Sequence, residues 1–129
     1  MKYVSLVPTL PVKDVKETQD YYEKVFGFKT HWIWEGEFGS VYGGQAFEIH
    51  LSKTNGNICR HTCYINIENA DSFYEKLKSQ GAKIVNEIKS TPWGMREFVV
   101  EEINGHLFRI GHGEKSVKEI EQFKTPSKK

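Results

Sequence analysis

Residues 14–28, DVKETQDYYEKVFGF, and residues 69–82, NADSFYEKLKSQGA, decide the fold when set side by side. Each opens on a residue suited to cap a helix N-terminus, Asp14 and Asn69. Each closes on a glycine, Gly27 and Gly81, placed where a helix stops. Both carry Tyr-Glu-Lys, at residues 22–24 and 74–76. The flanks repeat as well. A strand-like run precedes each helix, at 3–12 and 60–67. Three more come after each, at 28–34, 39–42 and 46–52, then at 83–88, 96–102 and 106–111, with Gly, Asn or Ser at most breaks. The pattern predicts strand-helix-strand-strand-strand, twice. It is an α+β arrangement of two βαβββ modules, residues 1–55 and 58–113, within one domain, 1–113. A lysine-rich tail, 114–129, completes the chain, expected to be a short helix and then loose chain.

Composition narrows the class. At 129 residues the chain can bury one real core. Hydrophobic residues are 38% and charged residues 27%, which fits a folded soluble domain rather than a disordered one. The formal charge of +1 supplies no field for nucleic acid or an anionic membrane. The opening residues hold no apolar run long enough for a signal peptide or a membrane span. Aromatics are 13%, more large rings than so small a core hides, so some are expected at a cleft or interface. Cys59 and Cys63 would lie roughly 13 Å apart on a strand at about 3.3 Å per residue. A disulfide requires about 7 Å or less, so two reduced thiols and a cytoplasmic setting are expected.

The most specific string is residues 91–111, TPWGMREFVVEEINGHLFRIG. Pro92 and Gly94 bracket Trp93, so the ring stands on a rigid bend. Such a ring is either a core anchor or a presented binding surface. Asn104-Gly105 predicts a two-residue hairpin turn of the primed type.

With these strings, and with residues 7–28 and 37–53, the chain resembles the vicinal-oxygen-chelate superfamily of glyoxalases, bleomycin resistance proteins and extradiol dioxygenases. It is most similar to the bleomycin resistance branch. The resemblance implies the doubled βαβββ fold with incurved mixed sheets. In metal-using members the first and fourth strands of each module supply His, Glu or Gln ligands. The matching positions here are Val7, Thr62, Arg109, and one near Glu48 or His50. A guanidinium repels a divalent cation and cannot ligate it. The expectation is therefore no metal and no cofactor. His61 adjoins a ligand position but faces away by strand parity. His31, His106 and His112 read as surface or turn residues.

In antibiotic-sequestering members, aromatic rings line a groove between two subunits and stack on a flat ligand. The matching positions are Trp32, Phe38, Tyr64 and Trp93, with Glu48, His50 and Arg109 as polar contacts. The resemblance thus implies a ligand-binding homodimer that takes a small aromatic antibiotic or metabolite, with no nucleic-acid or membrane partner. The near-neutral charge and Arg109 favour a neutral or anionic ligand over a cationic glycopeptide. The alternatives are a metal-dependent lyase, isomerase or dioxygenase of the same superfamily, and a regulatory or structural role.

Overall fold

The computed structural model describes residues 1–114, and the expected tail falls almost wholly outside them. The described chain forms two four-stranded mixed sheets and two helical segments, in the repeated βαβββ order. None of its helices is long and apolar enough to cross a membrane. Two compact units are present: Met1–His61 with Ile103–His106, and Thr62–Glu102 with the chain from Leu107 onward.

In the first unit the strands are β1 (Thr9–Val12), β2 (Lys29–Trp34), β3 (Phe38–Gly43) and β4 (Phe47–Lys53), in the order β1-β4-β3-β2. β1 runs parallel to β4 and is shorter than the expected 3–12. Pro8 and Pro11 explain this, since neither has an N–H to give a ladder. β1 is an edge strand, where Pro11 is tolerated. Helix α1 (Val15–Tyr21) is capped by Asp14, whose carboxylate accepts from the Glu17 N–H at 2.8 Å. It continues into a π-helical turn, Tyr22–Phe26, which ends at Gly27 with φ 79°. Val15, Tyr22, Val25 and Phe26 pack with Leu10, Val12, Val41, Ile49 and Leu51 to make the buried face of this sheet.

The second unit holds β5 (Thr62–Asn66), β6 (Lys83–Ser90), β7 (Met95–Glu101) and β8 (Leu107–Gly113), in the order β5-β8-β7-β6. Helix α2 (Ala70–Ser79) is capped by Asn69, which accepts from the Ser72 N–H. Its Tyr74 and Leu77 bury against the face carrying Phe98, Val100, Phe108 and Ile110, and Tyr74 meets Phe98 edge-on. His112 Nδ1 accepts the Ala70 N–H at 2.9 Å, so this histidine satisfies a helix terminus.

The repeat extends to irregularities. β2 shifts register between Thr30 and Trp32, and β6 does so between Ile84 and Asn86. The offset between these bulges equals that between Gly27 and Gly81. The two Tyr-Glu-Lys tripeptides do not share it, so their identity is incidental; the caps, glycines and bulges carry the repeat.

Two expectations are corrected. The β7–β8 connection is a five-residue loop, residues 102–106, and not a two-residue primed turn. That turn would need a positive φ at Asn104, but Gly105 alone in this loop has one, at 92°. Asn104 is used through its side chain instead: its Oδ1 accepts the Lys13 N–H and its Nδ2 donates to Thr18 Oγ1, both at 3.0 Å. His106 is fully buried, not a surface residue. Its Nδ1 accepts the His61 N–H at 3.0 Å and its Nε2 donates to the Pro11 carbonyl at 2.7 Å, which fixes one neutral tautomer.

Candidate functional site

The seven residues expected at the site divide between the units. Trp32, Phe38, Glu48 and His50 belong to the first; Tyr64, Trp93 and Arg109 belong to the second. In each sheet one face carries the core and the other carries these residues, except Trp93, which lies on the turn between β6 and β7.

In the first sheet the open face is built on β3 and β4. Ser40 pairs with His50 and Tyr42 with Glu48, so all four side chains share it. The bulge in β2 sets two consecutive residues, His31 and Trp32, against Ser40. Gln19 of α1 repairs the ladder there, donating from Nε2 to the carbonyls of Trp32 (2.8 Å) and Ser40 (3.2 Å). Gly39 lets α1 come this close, because a Cβ would lie 2.5 Å from Val15. The results are concrete. The Trp32 ring meets the His50 ring edge-on at 5.3 Å. His31 Nδ1 lies 3.0 Å from Glu48 Oε2, which also accepts from the Ser40 hydroxyl. The Ser40 hydroxyl and then His31 hold the Glu48 carboxyl below its usual range. Phe38 lies farther along β3, beside Trp34.

In the second sheet Tyr64 pairs with Arg109 across β5–β8, and Arg109 with Val99 across β8–β7. The guanidinium sits 4.9 Å from the Tyr64 ring centre. Glu97, nearly buried, joins the two: one oxygen accepts the Tyr64 hydroxyl at 2.8 Å, and the other accepts Arg109 Nη2 at 2.9 Å. Gly111 makes room, since a Cβ there would lie 2.7 Å from the Tyr64 hydroxyl. Burial, with Glu97 beside it, pushes the Tyr64 phenol up to about 12. Trp93 stands on a turn closed by the Gly94 N–H to the Thr91 carbonyl, with Gly94 at φ 90°. Its side chain is 49% exposed, so it is not a core anchor of the chain.

Sequence reading missed two of these residues. His31 escaped because simple alternation cannot place neighbours on one face; only the bulge does. Glu97 escaped because the assumed turn at 104–105 would pair Arg109 with Val100, and a one-residue slip turns every side chain over.

The strand pairings also place the positions that match the superfamily's metal ligands. His50, opposite Thr9 and Ser40, holds the place in the first sheet that Arg109, opposite Tyr64 and Val99, holds in the second. Val7 precedes β1, and Thr62 pairs with Leu107. Among the described residues no group of three or more His, Cys, Asp or Glu side chains is arranged to hold an ion. A cationic guanidinium closed by a carboxylate does not fit the divalent metal of the metal-using members.

The chain belongs to the glyoxalase/bleomycin resistance protein/dioxygenase superfamily, whose model matches residues 4–110. Solved structures share the fold. TioX from Micromonospora sp. ML1 superposes with a TM-score of 0.77 at 20% identity, covering 86% of this chain and 99% of its own. A glyoxalase-related enzyme from Clostridium phytofermentans gives 0.76 at 21%, covering 88% and 97%. The bleomycin-binding protein of bleomycin-producing Streptomyces verticillus, solved with copper(II)-bleomycin, gives 0.71 at 21%, covering 88% and 99%. At such identities the likeness concerns the fold. No curated protein matches the sequence.

Proposed function

We propose that this chain is a metal-free binding protein that sequesters a small planar aromatic molecule, an antibiotic or a metabolite, as a homodimer in the cytoplasm. The observation that carries the reading is the Tyr64–Glu97–Arg109 cluster. It fills with a closed polar network the position where a relative with a metal would place a ligand. Each unit supplies exposed rings of its own: Trp32 over His50 and Phe38 on β3 in the first, Tyr64 under its guanidinium and Trp93 on its turn in the second. Two free cysteines suit a reducing compartment.

The cluster also refines the ligand. An arginine facing a site wants an anionic partner, and Glu97 is that partner already. The ligand therefore need not bring a charge to Arg109. A neutral ring that stacks and accepts one hydrogen bond suits the open face of the second sheet.

Fluorescence quenching against a panel of planar aromatics tests the reading, alongside elemental analysis of the purified protein. The expected result is saturable binding with no stoichiometric divalent metal. Trp93→Ala should weaken binding by roughly 2 kcal/mol or more, as hot-spot tryptophans do. Because its ring is half exposed, folding stability should change by only about 0.5 kcal/mol. Metal near one per chain would support the enzyme alternative. A Trp93→Ala variant that melts early yet binds normally would refute this placement of the site.

A further inference from the structure

The first unit holds a cavity of about 580 Å³ whose wall includes His31, Tyr42, Phe47, Glu48 and the chain at Leu6 and Val7. His31 is the residue the alternation of β2 hides, and its surroundings are those of a proton acceptor. Its Nδ1 donates to Glu48 Oε2 at 3.0 Å, which sets the tautomer and leaves Nε2 with its lone pair. No partner for Nε2 is found among the described residues. The Tyr42 ring packs edge-on against the imidazole at 5.6 Å and fixes its plane. Glu48 is in turn held by the Ser40 hydroxyl, and it stays ionised because that bond and the one from His31 hold its carboxyl low. The titratable groups facing His31 are thus Glu48 and His50 on β4 and Tyr42 on β3. His50 Nε2 lies 3.5 Å from the same Glu48 oxygen. A carboxylate bonded to one nitrogen of an imidazole that lines a cavity is the arrangement that makes histidine a general base.

We propose that this cavity takes the acidic hydroxyl of an aromatic ligand, a phenol or an enol, and that His31 accepts its proton on binding. The O–H bond of the ligand breaks and its proton passes to His31 Nε2. The ligand keeps the electron pair as an oxyanion. The new imidazolium is paired on one side with that oxyanion and on the other with Glu48. The inference rests on the reading of the protein as a binder of small aromatics, and it adds the class of functional group that the first unit selects. The side chain of His31 is half exposed, so the transfer takes place at the cavity wall, within reach of an entering ligand.

4-Nitrophenol is the probe, because its ionised form absorbs visible light and its neutral form does not. Its methyl ether, 4-nitroanisole, is the control that cannot ionise. At a pH below the probe's own ionisation point, wild type should bind the phenol and convert it to the coloured form. It should bind the ether about tenfold more weakly, the loss expected when one hydrogen bond to a charged group is removed. His31→Asn keeps a donor toward Glu48 but has no basic nitrogen; it should abolish the colour change, with near-ultraviolet circular dichroism unchanged. Glu48→Gln should reduce it. Equal binding of phenol and ether, both colourless, overturns the proton transfer but leaves the aromatic-binding reading standing. Colour that survives His31→Asn overturns the assignment to His31. Binding of neither probe counts against this inference, and the quenching panel then decides separately whether the broader reading survives.

Discussion

Tyr64 shows how a single side chain can report on the whole second sheet. Its burial makes ionisation costly first, and the Glu97 carboxylate to which its hydroxyl is committed adds to that cost. The phenol is neutral in the folded protein until about pH 12, whereas an unfolded chain loses that proton at about pH 10. The folded state then holds more protons than the unfolded one across that window. The stabilisation is full below the unfolded value and is lost as pH rises through the folded one. A spectrophotometric titration of the tyrosines should therefore include a late component that is lost in Tyr64→Phe and moved to lower pH in Glu97→Gln. If Glu97→Gln leaves the late component in place, the carboxylate is not its cause. The ring-bearing residues were legible because Trp, Phe and Tyr stand out wherever they fall in a short chain. Glu97 and His31 were not, because their importance lies in which way a strand turns them, and a charged residue on a strand looks the same on either face.

Between β7 and β8 the five-residue loop acts as an element with its own bonds. Asn104 accepts the Lys13 N–H just before α1 and donates to Thr18 within it. Arg60 Nε donates to the Gly105 carbonyl at 2.9 Å, and His106 reaches Pro11. Without Asn104 the Thr18 hydroxyl keeps its own bond to the Asp14 carbonyl at 2.8 Å, and both bonds that tie the loop to α1 are lost. Asn104→Ala should cost about 1–3 kcal/mol of folding stability, the net worth of two hydrogen bonds at about 0.5–1.5 kcal/mol each, measured by urea unfolding at constant m-value. A cost below about 0.5 kcal/mol, the range of ordinary surface changes, would mean that water replaces the amide freely. Caps and glycines made the helices readable, since Asp14, Asn69, Gly27 and Gly81 do locally what their chemistry dictates. The loop was misread for a related reason: Asn-Gly is the strongest short hairpin signal, yet here Asn104 is claimed by partners in the opposite half of the chain, which no local rule detects.

At the scale of the whole chain, the N-terminal residues are the least covered apolar part among the described residues. Tyr3 is 91% exposed and Leu6 87%, with Val4 between them equally bare. Leaving such side chains in water forfeits the gain of burying them, about 1.5–3 kcal/mol for a fully covered large side chain. A second copy of the chain is the partner we propose for them, since Pro8 and Pro11 keep this segment from extending its own pairing with β4. Light scattering at micromolar concentration should give the mass of two chains, and removal of residues 1–6 should shift it toward one. A full-length chain with the mass of one would end the homodimer reading. The doubled fold itself was legible from end to end, because repetition is visible in sequence without knowing any contact. The division of the seven candidate residues between the two units follows from the same module bounds; which neighbours meet each of them on its sheet does not, because sequence names strands but not the company they keep.

The π-helical turn at Tyr22–Phe26 bears on that repetition. Thirteen positions separate Asp14 from Gly27, but twelve separate Asn69 from Gly81. A turn that closes five residues apart instead of four holds one residue more without displacing the strands beyond it. The surplus is absorbed before Gly27, so both halves keep step again at their glycines and at the bulges beyond. His31 and Trp32 consequently come to the open face in the same stride as Val85 and Asn86 in the other half. Upstream of the glycine the one-residue drift is taken up inside the helix, a slack loop in a rope whose working end stays fixed; the five further residues of the second half enter beyond the bulge, between Asn86 and Val99.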